Sequence, residues 1–175
     1  MTSGIILPIS AIEVAPTSST TSLTIALILS SGIICGKYLL IISISTFSAD
    51  ANSTDVGDLT FYRYGLSGHS SETHGYTSSG YTDAHGSNYN IIDKYSFASA
   101  NTVSGHGDLA QARWQGVGLS GTTHGLVVAG SAYPTLGESN LRLTQSDRFS
   151  YASNTTATVF GDIHKGVNIA AGSQY

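Results

Sequence analysis

The chain has 175 residues and a formal net charge of −4, with charged side chains making up only 10%, against roughly 25% in an ordinary globular domain. The seven Lys and Arg form no basic patch, which excludes binding to a nucleic-acid backbone by charge. Ser, Thr, Asn and Gly take the polar positions, as suits a protein whose faces are covered by assembly. The single cysteine, Cys35, excludes an intrachain disulfide and reads as a small buried apolar residue.

Residues 1–46 are apolar and nearly uncharged. Gly4–Ile9 and Ile12–Val14 flank Pro8 and precede Pro16, and read as an extended arm or edge strand. Pro16–Ser22 is a Ser/Thr loop. Leu23–Ile44 is long and apolar enough to span a bilayer, with Lys37 as its only charge. No Lys or Arg precedes Lys37, so the basic lead-in of a signal peptide is missing. Ser30-Ser31-Gly32 and Gly36-Lys37 interrupt the run, and it is rich in β-branched Ile. Two buried strands, Leu23–Leu29 and Tyr38–Ile44, are therefore predicted, with a membrane span as the alternative.

From residue 47 the sequence repeats. Gly57-Asp58-Leu59, Gly107-Asp108-Leu109 and Gly161-Asp162-Ile163 mark the beat, at spacings of 50 (107 − 57) and 54 (161 − 107) residues. Thr73-His74-Gly75 answers Thr123-His124-Gly125, Gly68 answers Gly118 and Gly172, and Asp93-Lys94-Tyr95-Ser96 answers Asp147-Arg148-Phe149-Ser150. Ile41–Phe47 is in phase with Ile91–Phe97, so the end of the apolar region already keeps the pattern. Strands are expected at Leu59–Tyr64 and Leu109–Trp114, from His74 and His124 onward, and over Asn90–Ala98 and Leu141–Ala152. Glycines mark the turns between them, and Gly75 and Gly125 mark a bulge or a close backbone approach. No stretch carries helical periodicity with caps.

A period near 50 indicates an all-β array of propeller-type blades. The division is a 1–46 segment for assembly and anchoring, then a repeat region at 47–175, with repeats of about 47–96, 97–150 and a partial 151–175. A closed propeller needs about four to eight blades. Two blades and a fragment must therefore be completed by other copies or by a partner.

Candidate chemistry is sparse. His74 and His124 occupy equivalent places, where they would either meet and bind a metal or sense pH, or bond locally as a structural device. Recurrence with the repeat favours the structural role for both, and for Gly57, Asp58, Gly75, Gly107, Asp108 and Gly125. Asp55/Asp58 and Asp93/Asp147 fall short of a calcium loop. Asp58 and Asp108 suit turns, and Asp93-Lys94 and Asp147-Arg148 suggest cross-strand ion pairs of little worth if exposed. Tyr62, Tyr64, Tyr76, Tyr81, Tyr89 and Trp114 sit beside Ser and Asn, as sugar-stacking rings or as packing between blades, and Tyr62, Tyr64, Tyr76 and Trp114 are the foremost candidate ligand or interface residues. No nucleophile, cofactor loop or metal motif stands out, so no enzymatic role, cofactor or metal is expected.

The phrases Phe47–Thr60, Arg63 and Ser70-Ser71-Glu72-Thr73-His74-Gly75-Tyr76 resemble the Kelch-like repeats of virion proteins of tailed bacteriophages, especially phages of aquatic bacteria. The resemblance covers about residues 44–175. The second repeat departs from it at Ser104-Gly105-His106 and Val117, the third lacks the arginine, and the first 40 residues fall outside it. It implies Kelch-like propeller blades and a structural or host-facing role on a virion, as a capsid decoration, knob or tail-fibre component. Sister copies and other virion proteins are the expected partners. A carbohydrate-binding adhesion module, contacting a host glycan, and a membrane-anchored surface protein are the alternatives.

Overall fold

A computed structural model describes the backbone strands Ser10–Glu13, Leu23–Leu27 and Ile42–Thr46, and residues 54–82, 87–99, 103–133 and 141–168. Every regular element among these residues is a β-strand. The first sheet is an antiparallel meander of β1 (Ser10–Glu13), β2 (Leu23–Leu27), β3 (Ile42–Thr46) and β4 (Thr54–Gly57). The second runs β5 (Ser67–Ser70), β6 (His74–Ser78), β8 (Ser87–Ser96) and β9 (Ser104–Arg113), with the short β7 (Tyr81–Thr82) continuing the line of β6 along β8. The third runs β10 (Val117–Ser120), β11 (His124–Val128), β14 (Gln145–Ser150) and β15 (Thr158–Asp162), and beside it β12 (Ser131–Ala132) pairs β13 (Leu141–Arg142). None of these sheets closes on itself.

The three meanders share one register. The pairs Leu23↔Thr46, His74↔Ser96 and His124↔Ser150 are equivalent, as are Ile44↔Thr54, Lys94↔Ser104 and Arg148↔Thr158. In each sheet the register slips between the third and fourth strands, beside the marker glycine. Gly57 and Gly107 there have φ of 139° and 77°, a region that side chains disfavour and bulges exploit. The fifty-residue beat is therefore the recurrence of a bulge that ends a four-stranded sheet.

The predicted strands within Leu23–Ile44 are present as β2 and the start of β3, and no helix among the described residues is long and apolar enough to cross a membrane. Gly4–Ile9, the first half of the expected arm, lies outside the described residues, as do Cys35 and Gly172. Leu109–Arg113 belongs to β9 as expected, because the long β8 offers Tyr89 as a partner to Arg113. Its counterpart Leu59–Tyr64 is irregular apart from a bridge between Tyr64 and Tyr81.

The core lies between the second and third sheets, where Tyr76, Ile92, Leu109, Val127, Phe149, Tyr151 and Ala157 are buried together. The Thr-His-Gly motif has a packing cause. A Cβ on Gly75 would overlap the Tyr95 ring of the neighbouring strand, and one on Gly125 would overlap the Phe149 ring. Glycine leaves room for an aromatic ring to lie flat across the sheet. In the first sheet the same cross-strand pair is Thr24↔Ser45, so the glycine and the ring are exchanged together.

Candidate functional site: the stacking face and an aromatic row

The second and third sheets meet along β5 and β10, where several hydrogen bonds join a residue to its counterpart one period on or to that counterpart's neighbour. Ser70 N donates to Ser120 Oγ at 2.9 Å, and the His69 ring bonds Leu119 O at 3.1 Å, both across 50 residues. Ser67 Oγ donates to Gly116 O at 2.9 Å, and Gln115 N donates to Gly65 O at 2.8 Å. Gly118 and Gly68 cross with no room for a Cβ. β1 lies beside β5 in turn, so first strand follows first strand through the three sheets.

His69 is fully buried at this junction. A carbonyl can only accept, so His69 Nδ1 carries the proton given to Leu119 O, and Nε2 accepts from Ser78 Oγ at 2.8 Å. Burial disfavours the imidazolium and pushes the pKa down to about 4, against a smaller upward pull from the Leu119 carbonyl. The ring also meets Phe149 edge-on, with centroids 5.0 Å apart.

Two buried ion pairs brace the turns that follow β6 and β11. Arg63 Nη1 lies 3.1 Å from Asp93 Oδ2, and Arg113 Nη2 lies 2.9 Å from Asp147 Oδ2. Arg113 Nη2 is aligned for no hydrogen bond, so that contact is an ion pair by proximity. Burial lowers the pKa of both guanidiniums, and the facing carboxylates oppose the shift. Each arginine also donates to a carbonyl in strained backbone, Arg63 Nε to Ser79 O at 2.7 Å and Arg113 Nη1 to Ala129 O at 2.9 Å. Ser79 and Ala129 have φ of 65° and 59°, unusual for residues with side chains, and each is followed by a glycine of positive φ. Asp93 in turn accepts from Thr60 N and Oγ1 at 3.1 and 2.6 Å, and Asp147 accepts from Gln111 N at 3.1 Å.

In place of the cross-strand ion pairing expected for Asp93-Lys94 and Asp147-Arg148, of little worth if exposed, the two aspartates make buried pairs with Arg63 and Arg113. Neighbours in a strand point to opposite faces, so the aspartates turn inward toward arginines from the segments before β5 and β10. The available signal was the placement of Arg63 and Arg113, each six residues after a marker glycine (63 − 57 and 113 − 107). In the first sheet the position equivalent to Asp93 holds Ser43, so the acid is missing there.

Tyr64 and Trp114 do come together, with ring centroids 6.1 Å apart. Tyr81, also a candidate from the sequence, and Tyr133, which sequence reasoning missed, complete a half-buried row with them: Tyr81 lies 5.3 Å from Trp114, and Tyr133 stacks on Trp114 at 6.1 Å. Trp114 Nε1 is buried and finds no hydrogen-bond partner among the described residues. Tyr62 is half-buried and belongs to none of these ring pairs. Tyr76 is elsewhere. It is 1% exposed, stacks on Tyr151 at 4.6 Å and lies 5.0 Å from His106, so as a ligand platform it is sealed by the third sheet.

His74 and His124 each bond the preceding threonine, with Thr73 Oγ1 and Thr123 Oγ1 both 2.8 Å from Nδ1. Burial, with Lys94 and His106 nearby, lowers the His74 pKa. Asp58 and Asp108 are exposed next to the bulge glycines. Among the described residues no three His, Cys, Asp or Glu side chains converge to hold a metal. The chain matches no family model, and no curated protein matches it.

Proposed function

We propose that the chain is a non-enzymatic structural protein of a virion, a capsid decoration, knob or tail-fibre component whose sheets are Kelch-like propeller blades. The reading is supported by the junction of β5 and β10, where residues meet their own counterparts. A stack built on self-equivalent contacts extends by adding like units. If each of the three four-stranded meanders serves as a blade, two copies bring six, within the usual range of a closed propeller. Particles purified from an infected culture and labelled with an antibody to the chain test the virion assignment. Label on intact particles is expected. Label confined to soluble protein contradicts it.

A second reading is favoured by the aromatic row. Tyr64, Tyr81, Trp114 and Tyr133 form a half-buried row of neighbouring rings, the kind of surface that stacks on a neutral sugar. In that case the virion component also holds a host glycan.

A further inference from the structure

The second and third sheets treat the same face differently. In β6, Gly75 through Ser78 are all buried, whereas β11 alternates, with Gly125 and Val127 buried and Leu126 and Val128 half-buried. Among the described residues the second sheet is covered on both faces and the third on one. Cross-strand partners share a face. Val117↔Val128 and Leu119↔Leu126 therefore place four apolar residues on the open side, and the Arg148 guanidinium, 5.2 Å from the Phe160 ring, places Phe160 there too.

Their counterparts in the second sheet form the face that the third sheet covers. His106 is 1% exposed, bonds Ser150 O at 2.8 Å through Nε2 and packs on Tyr76, whereas Phe160 is 58% exposed. A Cβ on Gly107 would meet the carbonyls of Thr155 and Asn154 at 2.7 and 2.9 Å, whereas one on Gly161 would meet nothing within 4 Å. The open face is also the more apolar of the two, with Leu119 for His69, Leu126 for Tyr76, Val128 for Ser78 and Phe160 for His106. Arg148 and Ser146, the partners of Leu126 and Val128, share this face, so it is an apolar patch with a single charge, the composition of an interaction site.

We infer that the face formed by Leu119, Leu126, Val128 and Phe160 seats the first sheet, strands β1 to β4, of a second copy of this chain. Two observations select that occupant. The equivalent face of the second sheet is already covered by a sheet of this kind, so the site continues an interface present within the chain. The first sheet has the strand order, register and bulge of the sheet that fills that interface. The contact is head-to-tail, and it ends in a closed ring rather than a filament if the rotation between sheets closes.

The inference rests on the assembly reading above. The test is the mass of the purified full chain by light scattering across a concentration series, for the wild type, Phe160→Asp and Leu126→Asp, with circular dichroism to check the fold. The wild type is expected at twice the chain mass, with both variants folded and at half the wild-type mass. Hydrogen exchange on the wild type provides a reading independent of the variants: amides of Leu126–Val128 and Thr158–Asp162 gain protection as concentration rises. An oligomer of unchanged mass in a folded variant, or flat exchange at these amides in an oligomer, overturns this face while leaving assembly standing. A wild type monomeric at every concentration overturns the face and assembly by like copies together.

Discussion

Gly118 crosses Gly68 so closely that a single added carbon would overlap the Gly68 carbonyl. That contact sets the distance between β5 and β10, and every counterpart hydrogen bond at the junction depends on it.

Gly118→Ala should therefore destabilise the protein, by about 1–3 kcal/mol as overpacking in a close-packed site does. Gly105→Ala is the control. It lies in β9, a Cβ there would meet nothing within 4 Å, and its φ is not positive. Its stability should hold or rise by about 0.5–1 kcal/mol. Urea unfolding of both variants checks the contrast.

Removing one member of a buried ion pair strands the other. Arg63→Ile and Asp93→Ser should each cost about 3–5 kcal/mol. The double variant removes both charges together, and it should cost less than the worse single change. A double-mutant cycle by chemical denaturation measures the coupling, and additive costs would contradict the clasp.

His69 predicts a pH dependence whose sign follows from its lowered pKa. The unfolded histidine takes up a proton near pH 6.5 and the folded one only near pH 4. Stability from this group is thus present in full above about pH 6.5 and falls as pH drops toward 4, by roughly 3 kcal/mol at most. His69→Leu, the residue its counterpart Leu119 already is, should flatten that part of the profile. Thermal unfolding between pH 4 and 7 follows it.

Trp114 is the only tryptophan in the chain. If the aromatic row holds a neutral sugar, its fluorescence should shift on titration with uncharged oligosaccharides, and Tyr64→Ala should abolish the shift. A spectrum indifferent to every sugar tried would leave the row as packing between sheets.

Much of this was legible in the sequence, and the gaps have physical causes. The period, the bulge glycines and the tight place at Gly75 and Gly125 could be read because a backbone constraint admits few residues. The first sheet could be read only at its end, near Ile41–Phe47. It keeps the register while exchanging Gly for Thr24, the aromatic ring for Ser45 and the acid for Ser43. The partnership of Arg63 with Asp93 and of Arg113 with Asp147 was not legible, because the partners lie 30 or more residues apart (93 − 63 and 147 − 113) and only the folded sheets bring them together. Tyr76 resembles Tyr64 and Trp114 in composition of neighbours. Only the stacking of a second sheet distinguishes a sealed ring from an accessible one.

The central claim is that residues meet their counterparts fifty positions on. Through-space proton contacts in solution test it most directly, on labelled protein at neutral pH. The account predicts cross-peaks from the Ser70 amide to the Ser120 side chain and between the α-protons of Gly68 and Gly118. Contacts from β5 to β6 alone, with none to β10, would contradict it.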